Sequence, residues 1–287
     1  MRIAIGIASI GRPKILGEVI DHLWHQTRKP DLTVVCSVSP DDVGSIADSR
    51  VQPEIIFSPR GSCIQRNYIL DHIDGRADVV IFFDDDFVPA NDYLEQVELI
   101  LSTDATLVGL TGDLVADGIN VGSIDFDDAV AELAGLSSQS GTLNARKALY
   151  GCNMAIRLTA ADGLRFDENL PQYAWLEDID FTYQLGRRGR LASGPMITGI
   201  HLGHRGARQP GKKLGYSQIA NVAYLYRKGT MQPGLGIRLI FQNLLSNIAK
   251  SLTKDPDIDR RGRLKGNLLA LGDIIRGKID PGRISQW

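Results

Sequence analysis

Residues 78–86, Asp78-Val79-Val80-Ile81-Phe82-Phe83-Asp84-Asp85-Asp86, decide how this chain folds. Val79 to Phe83 is an unbroken run of β-branched and aromatic residues, which suits a strand buried on both faces. Strands of that kind belong to parallel sheets covered by helices, and ligands gather beyond their carboxyl ends. Three neighbouring carboxylates at such an end repel one another unless a cation offsets them. A hard divalent ion, Mg²⁺ or Mn²⁺, prefers oxygen ligands and leaves positions open for water and substrate phosphates. Taken alone, the triplet is better explained by a solvated acidic turn.

The chain on either side repeats the strand–helix rhythm of an α/β fold. Ile3 to Ser9 reads as a buried strand ended by Gly11 and Pro13, and Lys14 to Gln26 as a helix with Pro13 in its first turn. Leu32 to Val38 and Glu54 to Phe57 are further strands, and Cys63 to Ile73 is a helix. Ser9 to Arg12, Ser37 to Asp42 and Asp84 to Asp86 are therefore expected at one edge of the sheet. Downstream, the pattern predicts a helix over Asn91–Leu101, strands over Thr106–Thr111 and Tyr150–Arg157, a helix over Glu177–Arg188 and a strand over Leu191–Ile200. Residues 112–145 are polar and aperiodic, and read as a long functional loop with a short helix near Asp127 to Leu136. Beyond Gly206 three helices are expected, Tyr216–Arg227, Leu235–Leu252 and Arg263–Arg276, with a hinge at Pro256.

Composition narrows the class. Hydrophobic residues make up 43% and charged residues 23%, so a packed globular core is expected rather than disorder. No stretch reaches the roughly 18–20 apolar residues of a membrane span, and the amino terminus reads as a strand rather than a signal peptide. Cys36, Cys63 and Cys152 are widely spaced and suggest neither a disulfide framework nor a thiolate zinc site, which fits a cytoplasmic location. The net charge of −2 conceals a division. Residues 1–180 carry 29 acidic against 13 basic residues, whereas residues 181–287 carry 5 against 19. From Phe181 through Lys254 there is no Asp or Glu. That field favours anionic partners at the basic end. The broad apolar stripe of Leu235–Leu252 fits either core packing or a helix lying in an anionic membrane interface.

A second acidic cluster changes the weight of the first. Trp175-Leu176-Glu177-Asp178-Ile179-Asp180 opens a helix, whose free N–H groups stabilise carboxylates. One of them is also the kind of group that takes a proton from an attacking hydroxyl. The ordered set GSCIQRNYIL, FFDDDFVP, GCNMAIR, WLEDIDFTYQLGRRG and HLGHRG resembles glycosyltransferase family 2 over about residues 1–230.

That resemblance implies a GT-A fold: a nucleotide-diphospho-sugar transferase with a Rossmann-like mixed sheet flanked by helices. It implies a catalytic domain over 1–230, with a basic helical C-terminal extension over 231–287. It implies Asp84 and Asp86 as the DxD pair, Asp86 the more direct metal ligand and Asp84 nearer the ribose, with Asp85 assisting the sugar. His204 matches the histidine that completes the metal site, and His201, three residues earlier, is the alternative. Asp178 matches the catalytic base and Glu177 its neighbour in acceptor orientation. Arg66 matches the basic residue near the nucleotide, and Ser9, Arg12, Ser37 and Asn153 would line the donor site. Ser37 stands where many members place a base-reading acidic pair. Trp175 would stack on an acceptor ring. Arg205, Arg208, Lys212 and Lys213 would close over the phosphates.

The expected activity is metal-dependent, inverting transfer of a sugar from a nucleotide-diphosphate sugar to a hydroxyl of a saccharide or lipid-linked saccharide, in polysaccharide or glycoconjugate synthesis. Mn²⁺ or Mg²⁺ is the expected cofactor. An anionic membrane surface met through residues 231–287, on the inner face of the plasma membrane, is the expected setting, and no nucleic acid is expected. The rival readings are a metal-dependent nucleotidyltransferase and a non-catalytic module that binds anionic lipid or nucleic acid. ASIGRPK, residues 8–14, is too poor in glycine for the phosphate loop of the former.

Overall fold

The computed structural model describes residues 1–136, 140–204, 210–251 and 258–287. Two compact units emerge. The first comprises Met1–Arg60, Ile64–Arg165 and Gln184–Ala207, and the second Gly61–Cys63, Phe166–Tyr183 and Arg208–Trp287.

In the first unit the expected rhythm is realised as β1 (Ile3–Ala8), α1 (Pro13–His22), β2 (Leu32–Ser37), β3 (Glu54–Phe57), α2 (Ser62–His72, whose first two residues fall in the second unit) and β4 (Val79–Asp84). β5 (Phe87–Pro89), α3 (Tyr93–Thr103), β6 (Leu107–Asp117), α4 (Gly118–Val121), α5 (Phe126–Ala134), β7 (Asn144–Arg146), β8 (Asn153–Arg157) and α6 (Leu158–Ala161) follow, and β9 (Arg190–His201) closes it. The sheet runs β3-β2-β1-β4-β8-β6-β9-β5, with β7 also on β9. β3, β2, β1 and β4 are parallel, as their unbroken apolar runs predict. β8 then runs antiparallel between β4 and β6, which makes the sheet mixed.

Apolar faces explain the register. Ile3, Ile5 and Ile7 of β1 join Val79, Ile81 and Phe83 of β4 in one core with Leu16, Val19 and Ile20 of α1. Phe83 lies between Phe87 and Tyr93, with ring centroids 5.0 and 5.2 Å away. Burying such a ring is worth roughly 1.5–3 kcal/mol, which pins the register of β4. On the other face α2 lies against Gly6, where a Cβ would meet Ile69 at 2.8 Å. The pairing Ala8↔Asp84 then sets the segment after β1 beside the carboxylates after β4.

One element runs further than its sequence suggests. β6 continues from Thr111 to Asp117, through a register shift at Gly112/Asp113, and pairs with β9 as far as Asp117↔His201. Its outer half, Asp113 to Asp117, is half-buried, a short apolar run (Leu114 to Ala116) between two aspartates.

The second unit is built on α7 (Glu177–Leu185, whose last two residues belong to the first unit), α8 (Gly211–Lys228), α9 (Pro233–Ser251), α10 (Arg260–Ile275) and a 3₁₀ turn at Pro281–Gln286. These units divide the chain at other points than residue 230, because α8 packs backbone to backbone on α10. A Cβ on Gly215 would stand 2.0 Å from the Arg263 carbonyl oxygen, and one on Gly266 would stand 2.2 Å from that of Lys212. Amides fill the rest of the seam: Asn247 donates to Gln218 and Asn267 at 2.9 and 2.8 Å, and Asn267 to the Gly215 carbonyl at 2.7 Å. The expected hinge at Pro256 lies outside the described residues.

Candidate active site

β4 ends at Asp84, and Asp85 and Asp86 form the turn to β5, which sorts the three carboxylates. Asp84 and Asp86 turn to one side. His201, the last residue of β9, meets them there, its Nε2 at 3.9 Å from Asp84 Oδ2 and 3.4 Å from Asp86 Oδ1. The ligand atoms of Asp84, Asp86 and His201 all lie within 4.8 Å of one another. Oxygens and nitrogens bound to Mg²⁺ at about 2.0–2.1 Å stand about 3–4 Å apart, so this donor set fits a hard divalent cation.

Asp85 points the other way and is fully buried. It accepts from Ser9 Oγ at 2.6 Å and from Arg12 Nε at 3.1 Å, and a second Arg12 nitrogen closes the ion pair. Burial raises its pKa, and the Arg12 charge and the Ser9 hydrogen bond oppose that rise. Its carboxylate is thus committed to anchoring Arg12. Arg12 reaches on to Asp86 Oδ2 at 3.2 Å, which also accepts from the His204 backbone N–H at 2.7 Å. Burial would raise the Asp86 pKa, but the hydrogen bond with His201, the Arg12 charge and the His204 N–H hold it at about 2.

His201 is oriented from behind. Its Nδ1 lies 3.1 Å from Asp117 Oδ1, at the end of the extended β6, and the Tyr150 hydroxyl reaches the other Asp117 oxygen at 3.4 Å. A carboxylate on Nδ1 fixes the tautomer that aims Nε2 at a ligand. Burial alone would lower the imidazole pKa, but hydrogen bonds to Asp117 and Asp86 and the charges of Asp86 and Asp84 push it up to about 10. Arg66 completes the rim, donating to Asp84 Oδ1 at 3.1 Å and to the Gly151 carbonyl at 3.0 Å.

The expected residues thus divide into several groups. Asp84, Asp86, Arg66, Arg12 and Ser9 are brought together. His204 meets Asp86 through its backbone, its side chain is exposed, and the three-residue donor set contains His201 instead. Ser37 and Asn153 are fully buried. Ser37 donates to the Ser9 carbonyl at 2.9 Å, whereas Asn153 donates to the Gly112 carbonyl at 3.1 Å and accepts from Thr111, so both hydrogen-bond within the sheet. Arg205 and Arg208 lie outside the described residues. Glu177, Asp178, Lys212 and Lys213 belong to the second unit. There Glu177 and Asp178 occupy the first turn of α7, with Asp178 Oδ1 accepting from the Ile179 N–H at 2.8 Å, and Lys212 Nζ lies 4.0 Å from the centroid of the Trp287 ring. Asp117 falls in residues 112–145, which the sequence pattern reads as a loop, so its place at the end of β6 was hidden.

Residues 4–122, which contain β1 to β6 and both DxD carboxylates, match the model of glycosyl transferase family 2. Over that segment the chain is similar to glycosyl transferase family 2. The match speaks for a glycosyltransferase that uses a nucleotide sugar. No curated protein matches it in sequence. Among solved structures it is similar to Staphylococcus aureus TarS 1–349 (13% identity, TM-score 0.60, covering 99% of this chain and 82% of that chain). It is also similar to the mannosyltransferase PcManGT from Pyrobaculum calidifontis, in complex with GDP-Man and Mn²⁺ (16%, TM-score 0.55, 99% and 84%). A third is glucosyl-3-phosphoglycerate synthase from Mycobacterium tuberculosis, in complex with Mg²⁺ and UDP (18%, TM-score 0.52, 81% and 81%). At these identities the likeness speaks for the fold alone, and that fold is GT-A.

Proposed function

We propose that this chain is an inverting glycosyltransferase, moving a sugar from a nucleotide-diphosphate donor to a hydroxyl of a saccharide or lipid-linked saccharide, in polysaccharide or glycoconjugate synthesis. The observation that carries the reading is the convergence of Asp84 and Asp86, within the segment that matches glycosyl transferase family 2, with His201 from the end of β9. Those three residues would hold Mn²⁺ or Mg²⁺. When bound, the cation offsets the negative charge that grows on the departing diphosphate.

The chain's own groups supply the rest. Asp117 holds His201 with Nε2 toward the site, and Arg12 and the His204 N–H fix one oxygen of Asp86 so that the other faces inward. Arg66, anchored on the Gly151 carbonyl, brings positive charge to the rim beside Asp84, where the nucleotide docks. Asp178 takes the proton from the attacking acceptor hydroxyl and Glu177 orients that hydroxyl. Both stand at a helix N-terminus, which favours the ionised carboxylate that a base requires.

The acceptor is presented at an anionic membrane surface. No helix among the described residues is long and apolar enough to cross a membrane. α9, however, exposes Ile237, Phe241, Leu245 and Ile248 at helical spacing beside Arg238, within the stretch that lacks any acidic residue. An apolar stripe flanked by basic charge suits the headgroup boundary of an anionic bilayer.

The direct test is a panel of UDP-, GDP- and dTDP-sugars screened for Mn²⁺-dependent thermal stabilisation. One donor class should stabilise the wild type and lose that effect in Asp86→Ala. Stabilisation that survives both Asp86→Ala and chelation would refute the site.

A further inference from the structure

Three residues just ahead of Glu177 and Asp178 take a backbone conformation that L side chains rarely adopt. Gln172, Ala174 and Leu176 have φ of 60°, 51° and 77°, and Pro171 to Leu176 contains no glycine to ease it. In the left-handed region Cβ crowds the following carbonyl, so such a run persists only where its surroundings over-determine it.

The surroundings can be named, all within the second unit. The Ser62 N–H donates to the Gln172 carbonyl at 3.0 Å. The Glu177 N–H donates to the Ala174 carbonyl at 2.9 Å and the Asp180 N–H to the Leu176 carbonyl at 3.1 Å. Asn221 Nδ2, from α8, donates to the Trp175 carbonyl at 2.8 Å. Three and seven residues further along the same face of α8 stand Tyr224 and Lys228. The Tyr224 hydroxyl donates to Asp167 at 2.9 Å, and Lys228 Nζ reaches Asp167 at 2.6 Å and Asp180 at 2.7 Å. Thr230 donates to the other oxygen of the fully buried Asp180 at 2.6 Å. One face of α8 thus grips the segment 167–180 before, within and after the left-handed run.

Asn221 is the telling member. It is fully buried, and its amide oxygen has no hydrogen-bond partner among the described residues. A buried carbonyl left unpaired destabilises a fold, and leucine of similar size would avoid that. The unpaired oxygen offsets what the hydrogen bond contributes to stability, and what is left to the residue is its N–H, the only side-chain donor described on the Trp175 carbonyl.

We propose that Asn221 is a positioning residue, tethering the left-handed run Gln172–Leu176 and so setting where the Glu177–Asp178 pair stands. The inference rests on the reading of Asp178 as the group that takes the acceptor proton. It extends that reading by making the C-terminal helices part of the machinery that aims the base.

The test uses the full chain. Asn221→Leu removes an unpaired buried oxygen but also the donor on the Trp175 carbonyl, so the thermal midpoint should shift little. Amide exchange over residues 172–178 should nevertheless quicken about tenfold or more. With UDP-glucose, UDP-GlcNAc and GDP-mannose as probes, Mn²⁺-dependent binding should change less than about twofold, while sugar release to water falls about tenfold or more. A partly exposed position on the loop gives an independent pair: Gln172→Gly, which takes positive φ freely, should behave as wild type, and Gln172→Val should reproduce the loss. Unchanged exchange in Asn221→Leu, or wild-type turnover in Gln172→Val, would overturn the proposal. Normal turnover in Asp178→Asn would instead sink the reading of the base, and the exchange rates would still decide the tether.

Discussion

Loading the metal site must expel a proton. In the metal-free protein His201 carries one on each ring nitrogen, because its pKa is pushed up to about 10 from an ordinary 6.5. A cation needs the Nε2 lone pair while Nδ1–H stays on Asp117, so one proton leaves for each ion bound. At pH 7.5 that removal opposes binding by about 3 kcal/mol, taking roughly 1.4 kcal/mol for each of two and a half units. The apparent Kd for Mn²⁺ should therefore fall about tenfold per pH unit from 7 to 9. Calorimetry in two buffers of different ionisation enthalpy should find close to one proton released at pH 7.5. Asp117→Asn, which removes the carboxylate 3.1 Å from Nδ1, should lower the imidazole pKa by about 1–3 units and flatten the upper part of the profile. Without metal the same raised pKa contributes stability that is complete below 6.5 and is lost as pH rises through about 10. A Kd that is flat between pH 7 and 9, or proton release near zero at pH 7.5, would refute the reasoning.

Three further outcomes are expected. Asp178→Asn should reduce glycosyl transfer by about a thousandfold or more while nucleotide-sugar affinity in calorimetry stays within about threefold; near-normal turnover would remove it as the base. Gly215→Ala, whose Cβ would stand 2.0 Å from the Arg263 carbonyl, should cost about 1–3 kcal/mol in urea unfolding, because α8 and α10 would have to separate. Flotation with phosphatidylglycerol-containing liposomes should recover the wild type at low salt and far less of a Phe241→Ser, Leu245→Ser double variant, and equal recovery would exclude α9 as the contact.

Much of the sheet was legible because its central strands are buried on both faces, and such strands announce themselves as unbroken apolar runs. Val79 to Phe83 ending in three aspartates marks the sheet edge where Asp84, Asp86 and His201 gather. Asp117 was hidden because the outer half of β6 is only half-buried and its order comes from pairing with β9, a contact that local pattern does not record. The same pairing decides which histidine meets the DxD pair. His201 and His204 are three residues apart, and only the length of β9 through its register shifts puts His201 at the strand end and leaves His204 to offer its backbone N–H. The triplet also hid a division of labour, since its middle member serves Arg12 rather than a ligand. The left-handed run before Glu177 gave no sign at all: Gln172 to Leu176 is QYAWL, with none of the glycines that mark such backbone, and its cause lies some 50 residues away in α8.

The most direct measurement is anomalous diffraction at the manganese edge from crystals grown with Mn²⁺ and UDP or GDP. One peak is predicted, about 2.0–2.3 Å from a carboxylate oxygen of Asp86 and from His201 Nε2, with Asp84 in its coordination sphere directly or through water. A peak bound by His204 in place of His201, or none between the ends of β4 and β9, would contradict the account.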